Sequence, residues 1–182
     1  MVLELLLDLV IAVVQLILAV ALALFSITLA LNVLDRTTKG INEFEELRNK
    51  NLAVGVYIAG ILIAVANVIG QAVSGISKSV VPGQFNAAAL IGGLIQLFIG
   101  LPLALVLVVW AQNRVYGWLV KAAEKIPGVD IKEFTVEAEL KRGNVAIAVL
   151  LFGTFVAISL VISQGISFLS EPIASAITRL FR

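Results

Sequence analysis

Side-chain amides are the groups in this sequence that could do chemistry within an apolar protein. One asparagine and four glutamines interrupt otherwise apolar stretches: Gln15, Asn67, Gln71, Gln96 and Gln164. A neutral amide donates and accepts hydrogen bonds, so it can join two helices or replace part of the hydration shell of a solute. A helix rises ~1.5 Å per residue, so the depth of each amide can be counted from the end of its helix. All five lie in the half of their helix that is nearest the same side of the bundle. They are predicted to form one polar layer. This layer either joins the helices by hydrogen bonds or lines a path for ions or small solutes.

Catalytic and metal-binding side chains are scarce. The chain has no Cys and no His, and Met1 is its only Met, which excludes disulfides, thiolate metal sites and His, Met or Cys haem ligands. Ser74 and Lys78 are spaced like a Ser–Lys dyad, but Lys78 stands at a predicted helix end and no third group accompanies the pair. We therefore expect no enzyme activity and no cofactor.

The composition is that of an integral membrane protein. Of 182 residues, 60% are hydrophobic and 14% charged, with a mean hydropathy of +1.08, whereas soluble domains are ~25% charged. A bilayer is crossed by ~20 apolar residues, and four stretches reach that length: roughly 5–34, 52–76, 85–111 and 145–169. The first carries acids and is too long for a secretion signal, so we expect a retained helix. The net charge of +1 argues against nucleic acid as a partner.

Lys and Arg are concentrated in two connections. Ten of the thirteen lie between the first and second apolar stretches or between the third and fourth. Cytoplasmic loops carry such an excess. Both longer loops are therefore predicted to be cytoplasmic, with both termini outside, in a multi-pass protein of the cell (inner or plasma) membrane.

One passage of the sequence occurs twice. "KNLAVGVYIAG" at residues 50–60 matches "GNVAIAVLLFG" at 143–153, and the polar identities extend on both sides: Glu46/Glu139, Asn51/Asn144, Gln71/Gln164 and Ser74/Ser167. The preceding halves align at another offset, with "QLILAVALAL" over "QLFIGLPLAL". The sequence thus predicts an all-α membrane protein of two tandem, parallel two-helix repeats. They cover residues 1–76 and 85–169, joined by an outer turn at 77–84 and followed by an amphipathic interfacial helix at 170–182.

Small residues and helix caps follow the same repeat. Four glycines are predicted to mark close helix crossings: Gly60, Gly92, Gly100 and Gly153. Asn51 and Asn144 begin the second and fourth helices, where an amide oxygen can cap free backbone N–H groups. Pro102 replaces the Ala21 of the first repeat, which predicts a kink in the third helix.

Two cytoplasmic segments mix hydrophobic residues with both signs of charge. "INEFEELRNKN" at 41–51 and "VDIKEFTVEAELKRGN" at 129–144 are typical of amphipathic helices that lie on a membrane surface. They could also dock a soluble protein. The sequence leaves both uses open.

The passages "ELRNKNLAVGVYIAG" and "ELKRGNVAIAVLLFG" resemble the prokaryotic membrane-protein family known as domain of unknown function 350. The resemblance implies tandem two-helix units in a prokaryotic inner membrane and implies no particular activity. One departure is that Lys50 precedes Asn51 where Gly143 precedes Asn144.

Two functions fit these features. The first is a passive channel or permeation unit for ions or small solutes, lined by the neutral amides. The alternative is a non-catalytic membrane scaffold that recruits a cytoplasmic partner through its inner-face helices. Because four helices enclose little volume, we expect a homo-oligomer in the lipid bilayer, most simply a dimer.

Overall fold

The fold is a helical bundle, seen in a computed structural model that describes residues 2–37, 41–81, 84–85, 87–125 and 134–180. The elements follow in the order α1 (Val2–Thr37), α2 (Glu43–Arg48), α3 (Leu52–Ser79), β1 (Val80–Val81), β2 (Gln84–Phe85), α4 (Ala87–Ile95), a π-helical turn (Gln96–Gly100), α5 (Leu101–Ala123), α6 (Val136–Lys141) and α7 (Val145–Leu180). The two short strands pair antiparallel, with Val80 opposite Phe85.

Four helical segments in the described ranges are long and apolar enough to cross a membrane. They are Leu5–Asn32, Leu52–Ser77, Ala89–Ala123 and Val145–Phe168. A helix suits this role because it satisfies its own backbone hydrogen bonds in lipid. The prediction of a helical chain with four helices long and apolar enough to cross a membrane is confirmed. The third segment continues past its predicted end near residue 111, because the more polar residues that follow still form a helix.

α3 is the central helix of the bundle. Its most apolar window is 56% buried, against 6% for α1, and α3 packs against α1, α4, α5 and α7. α1 contacts the bundle along one edge and exposes most of its leucines and valines. In a membrane these exposed side chains would face lipid tails, so their exposure costs nothing.

The largest cluster of buried apolar residues lies at the end of the bundle that includes α6. Tyr57 of α3 meets Phe155 of α7 edge to face, with ring centroids 5.7 Å apart. Val136 and Leu140 of α6 are buried in the same cluster. Edge-to-face aromatic pairs stabilise by ~0.5–1.5 kcal/mol beyond the area they bury. The short helix α6 is thereby fixed to the transmembrane core.

Pro102 lies just after the π-helical turn that separates α4 from α5. A proline lacks the N–H that would bond the carbonyl of Phe98, and its ring crowds that carbonyl. A π turn widens the helix at this point and relieves the crowding. The irregularity predicted from Pro102 is thus a π turn, whereas α1 is α-helical around Ala21.

α7 continues through the segment that was predicted to be a separate interfacial helix. The sequence favoured a break near residue 170, but α7 is one helix from Val145 to Leu180 with Pro172 inside it. An interior proline removes one backbone hydrogen bond, and a long helix with strong formers on both sides tolerates that loss. The predicted outer turn at Pro82-Gly83 and part of the segment at 129–144 lie outside the described residues.

Candidate functional site

A tight turn, which we call the first turn (residues 46–51), connects α2 to α3. The backbone N–H of Asn51 donates to the carbonyl of Glu46 at 2.9 Å, and that of Lys50 donates to Leu47 at 3.0 Å. These two bonds form a Schellman motif, in which the residue after the helix end adopts the left-handed backbone conformation. Lys50 is that residue, with φ of 61°. The helix direction therefore changes within a few residues.

The second turn (residues 139–144) connects α6 to α7 with the same bonds. The N–H of Asn144 donates to Glu139 at 2.9 Å, and that of Gly143 donates to Leu140 at 3.0 Å. Gly143 has φ of 76°. Glycine adopts this conformation freely, whereas another residue is penalised by ~1–2 kcal/mol. Lys50 and Gly143 differ in residue type between the two repeats, but both adopt the same left-handed backbone conformation.

The side chain of Asn51 makes contacts in both directions. Its Oδ1 accepts from the N–H groups of Ala53 at 3.1 Å and Val54 at 3.3 Å, which caps α3. Its Nδ2 donates to Glu46 Oε2 at 2.8 Å and to the carbonyl of Leu140 at 2.9 Å. Asn51 thus joins the start of α3 to the end of α6.

Asn144 repeats two of these contacts, the helix cap and the bond to the glutamate five residues earlier. Its Oδ1 accepts from the N–H of Ile147 at 3.4 Å, and its Nδ2 donates to Glu139 Oε2 at 2.7 Å. Glu139 also binds the guanidinium of Arg142 at 3.0 Å. Both asparagines therefore lie at helix N-caps, each held by the glutamate five residues earlier.

Side-chain amides connect α3 to two of its neighbours. Gln15 of α1 donates from Nε2 to the carbonyl of Ser77 at 2.9 Å. Asn67 of α3 donates from Nδ2 to Ser159 Oγ of α7 at 2.9 Å. In a bilayer such bonds contribute ~0.6 kcal/mol on average and up to ~1.7. Both predicted amides therefore lie between helices.

A third amide bond connects α3 to α5. The hydroxyl of Tyr57 donates to Gln112 Oε1 at 2.7 Å, and both residues are buried. The sequence analysis did not single out this pair, because a lone Tyr and a Gln beyond the predicted end of the third stretch give no signal of contact. Each of the other three spans is thus hydrogen-bonded to α3 through one amide.

The remaining predicted amides occupy different environments. Gln96 is buried in the π turn, with Oε1 3.1 Å from the position that a Cβ on Gly75 would take. Gln71 is half-buried on α3, and Gln164 is exposed on α7. Gln164 therefore lies on the outer surface of the bundle, away from the buried Gln96.

Two of the predicted glycines are packed against α7, one against its backbone and one against a side chain. A Cβ on Gly60 would be 2.8 Å from the Cα of Phe152 in α7, and one on Gly100 would be 2.8 Å from Ile166 Cδ1. Gly92 is buried. Gly153 is exposed, and a Cβ there would meet nothing within 4 Å. Within one chain, Gly153 therefore makes no close helix crossing.

The closest approach of α3 and α4 uses glycines that the sequence analysis did not select. A Cβ on Gly93 would be 2.6 Å from the backbone N of Ile76, and one on Gly75 would be 2.9 Å from the Cα of Gly93. The dipeptide of Gly92 and Gly93 was visible in the sequence. Which of the two faces α3 depends on the rotation of α4, which the sequence does not specify.

The space between α1 and α3 is apolar. A cavity of about 120 Å³ lies there, lined by apolar residues of both helices together with Gln15 and Ser77. Such a lining does not support hydrated solutes. In the described ranges, no group of three or more Asp or Glu residues is placed to hold a metal ion.

Four membrane-length helices around a central α3, with two short helices at one end, define a multi-pass membrane protein of the all-α class. The chain belongs to the family described as Domain of Unknown Function (DUF350), whose sequence profile matches residues 5–166. The resemblance seen in the repeated passages is confirmed and covers nearly the whole chain. No curated protein and no solved structure matches the chain.

Proposed function

We propose that this protein is a non-catalytic membrane scaffold whose side-chain amides hold its helices together. One observation carries the proposal: α1, α5 and α7 are each bonded to α3 through an amide, at 2.9, 2.7 and 2.9 Å. An amide engaged between two helices is a poor ligand for a passing solute, because binding the solute would break the helix contact.

The experiment compares two amides of α3. Asn67→Leu removes the bond to Ser159, so the free energy of unfolding in detergent should fall by about 1 kcal/mol. Gln71→Leu is the matched control, since Gln71 is half-buried on the same helix and has no hydrogen bond among the described residues. Equal stability of Asn67→Leu and wild type would contradict a stabilising role for the bond between Asn67 and Ser159.

The scaffold is proposed to consist of two tandem helical hairpins with the same structure, which insert into the membrane in the same orientation. The matching backbone bonds of the first and second turns support this plan, as does the bond that puts both turns at one end of the bundle. The excess of Lys and Arg in these connections supports a cytoplasmic position for this end, in a prokaryotic inner membrane. Both termini then lie outside.

The cytoplasmic end is proposed to bind a soluble protein partner through α2. Phe44 is 68% exposed and Leu47 is 43% exposed, beside the exposed cations Arg48 and Lys50. Exposed apolar side chains ringed by charges mark interaction surfaces. A photo-crosslinker at position 44 should give one discrete protein adduct that disappears with Leu47→Asp. A crosslinker at the exposed Glu124 is the control; adducts with lipid alone from position 44 would contradict a protein partner.

A second candidate function is permeation between copies of the chain. The outer face of α7 carries Gly153, Ala157 and Gln164, all exposed and on one side of the helix. Small residues and amides of this kind favour helix association in lipid. In a homo-dimer formed through this face, the Gln164 amides would line the contact, where a small solute could pass.

The absence of cysteine from the sequence makes the proposed α7 contact simple to test. In membranes, Gln164→Cys should form an inter-chain disulfide on mild oxidation. Val106→Cys is the control, because Val106 is 64% exposed on α5 and lies outside the proposed contact. Equal crosslinking at both positions would contradict a specific α7 interface.

A further inference from the structure

A cleft of about 580 Å³ opens beside the second half of α5 and is closed on one side by Leu150 of α7. Arg114, Trp118 and Lys121 line it and follow one another at helical spacing on one face of α5. Gly117 also lines the cleft, and a Cβ there would meet nothing within 4 Å. The cleft is therefore open above Gly117 and flanked by two cations and an indole ring.

The two cations of the cleft are available to an anion. Arg114 and Lys121 are both exposed, and within the described ranges neither makes an ion pair or a side-chain hydrogen bond. At seven residues apart they are separated by ~10 Å along the helix. Their long, flexible side chains can converge on one negatively charged group placed between them.

The cleft lies in the last turns of the third membrane-length segment, Ala89–Ala123, at the end nearer α6, where the sequence becomes more polar. The third apolar stretch was predicted to end near Ala111, three residues before Arg114. Tyr116 donates to the carbonyl of Phe134 at 2.8 Å, which ties this part of α5 to the segment that enters α6. Trp118 is 64% exposed, as is typical of indole rings at the level of lipid headgroups.

We propose that this cleft binds the headgroup of an anionic phospholipid. Arg114 and Lys121 bind the phosphate, whose negative charge is not offset by a cation in the same headgroup, and Trp118 packs on the glycerol backbone. Leu150 contacts the first methylene groups of an acyl chain. Basic pockets between transmembrane helices bind anionic headgroups in this way, and the apolar side chain of Leu150 favours a lipid over a free anion.

Trp118 provides the readout. The chain has two tryptophans, so Trp110→Phe leaves Trp118 as the single fluorophore. The variant is reconstituted in phosphatidylcholine vesicles that contain a small fraction of brominated phosphatidylglycerol or, separately, brominated phosphatidylcholine. Bromine quenches the nearby indole. The anionic lipid should be preferred by about fivefold for each cation that contacts it.

Variants separate the cleft from the charge of the surface as a whole. In the Trp110→Phe background, Arg114→Gln with Lys121→Gln should abolish the preference, and Gly117→Leu should reduce it by filling the cleft without removing charge. Arg48→Gln with Lys141→Gln removes the same charge from exposed positions elsewhere and should leave the preference intact.

Three results would overturn the proposal. The first is equal quenching by the two lipids in Trp110→Phe. The second is an equal loss of preference in the Arg48/Lys141 control, which would assign the effect to general surface charge. The third is complete displacement by millimolar inorganic phosphate at constant ionic strength, which would make the cleft a site for free anions. Size-exclusion chromatography confirms that each variant is folded before quenching is measured.

Discussion

Asn51 donates a hydrogen bond from its side-chain amide to the backbone carbonyl of Leu140 at 2.9 Å, across 89 positions of the sequence. The same amide binds Glu46, and its oxygen caps α3. One side chain therefore fixes the end of α2, the start of α3 and the end of α6 relative to one another. The two turns at this end of the bundle act as one unit because of this contact.

Removal of the two cap asparagines should have unequal effects. Asn51→Ala loses a cap, worth ~1 kcal/mol, together with a bond between the turns and the contact to Glu46, so we expect a total loss of about 2–3 kcal/mol. Asn144→Ala should cost about 1–2 kcal/mol. Unfolding in detergent, followed by circular dichroism, measures both. Asn51→Asp keeps the capping oxygen and loses the donor, so it should fall below wild type; equal losses for the two alanine variants would contradict the bridging role of Asn51.

Substitution of the two left-handed residues, Lys50 and Gly143, should change the stability of the protein in opposite directions. Lys50→Gly removes an unfavourable conformation and should stabilise by about 0.5–1 kcal/mol, whereas Gly143→Ala should destabilise by about 1 kcal/mol. Both positions are exposed, so side-chain packing changes little. Midpoints of thermal unfolding provide the comparison. Destabilisation by Lys50→Gly would show that its side chain, and not its backbone, matters.

The glycines should divide into two groups according to their surroundings. Gly60→Ala and Gly93→Ala place a methyl group against backbone atoms at 2.8 and 2.6 Å, so each should destabilise by about 1–3 kcal/mol. Gly70→Ala is the control, because a Cβ there meets nothing within 4 Å, and it should be neutral or stabilising. The ratio of folded to aggregated protein after heating distinguishes the groups. A tolerant Gly93 would contradict the close approach of α3 and α4.

The buried bond between Tyr57 and Gln112 should be measurable as a coupling. Tyr57→Phe and Gln112→Leu each remove one partner, and the coupling energy from the double-mutant cycle should lie near 0.6–1.7 kcal/mol. Tyr57→Phe keeps the edge-to-face contact with Phe155, so the cycle isolates the hydroxyl. A coupling of zero would contradict a direct bond.

The sequence predicted the elements better than their mutual rotation. Runs of apolar residues determine the four spans, and the repeated asparagines mark the starts of α3 and α7. Helical spacing shows which residues share a face, yet it does not specify which helix meets that face. For this reason Gly60 lies against α7 while the matching Gly153 is exposed.

The bonds between helices were harder to predict for the same reason. Asn67 pairs with Ser159 and Tyr57 with Gln112, and neither partner follows from the pattern of one sequence. The continuation of α7 through Pro172 was missed because local signals of a cap outweighed the strong helix formers around them.

The most direct measurement for the central claim is the flux of ions and small solutes in proteoliposomes. Wild type is compared with Gln71→Leu plus Gln164→Leu, and the oligomer size of both is checked. If the protein is a scaffold held together by Gln15, Asn67 and Gln112, wild-type vesicles should be no more permeable than empty ones to common ions and small neutral solutes. Replacement of Gln71 and Gln164, which do not join helices within the part of the chain that the structure describes, should not change this. Flux through wild type that the intact, well-assembled variant loses would contradict the scaffold and assign Gln71 and Gln164 to a permeation pathway.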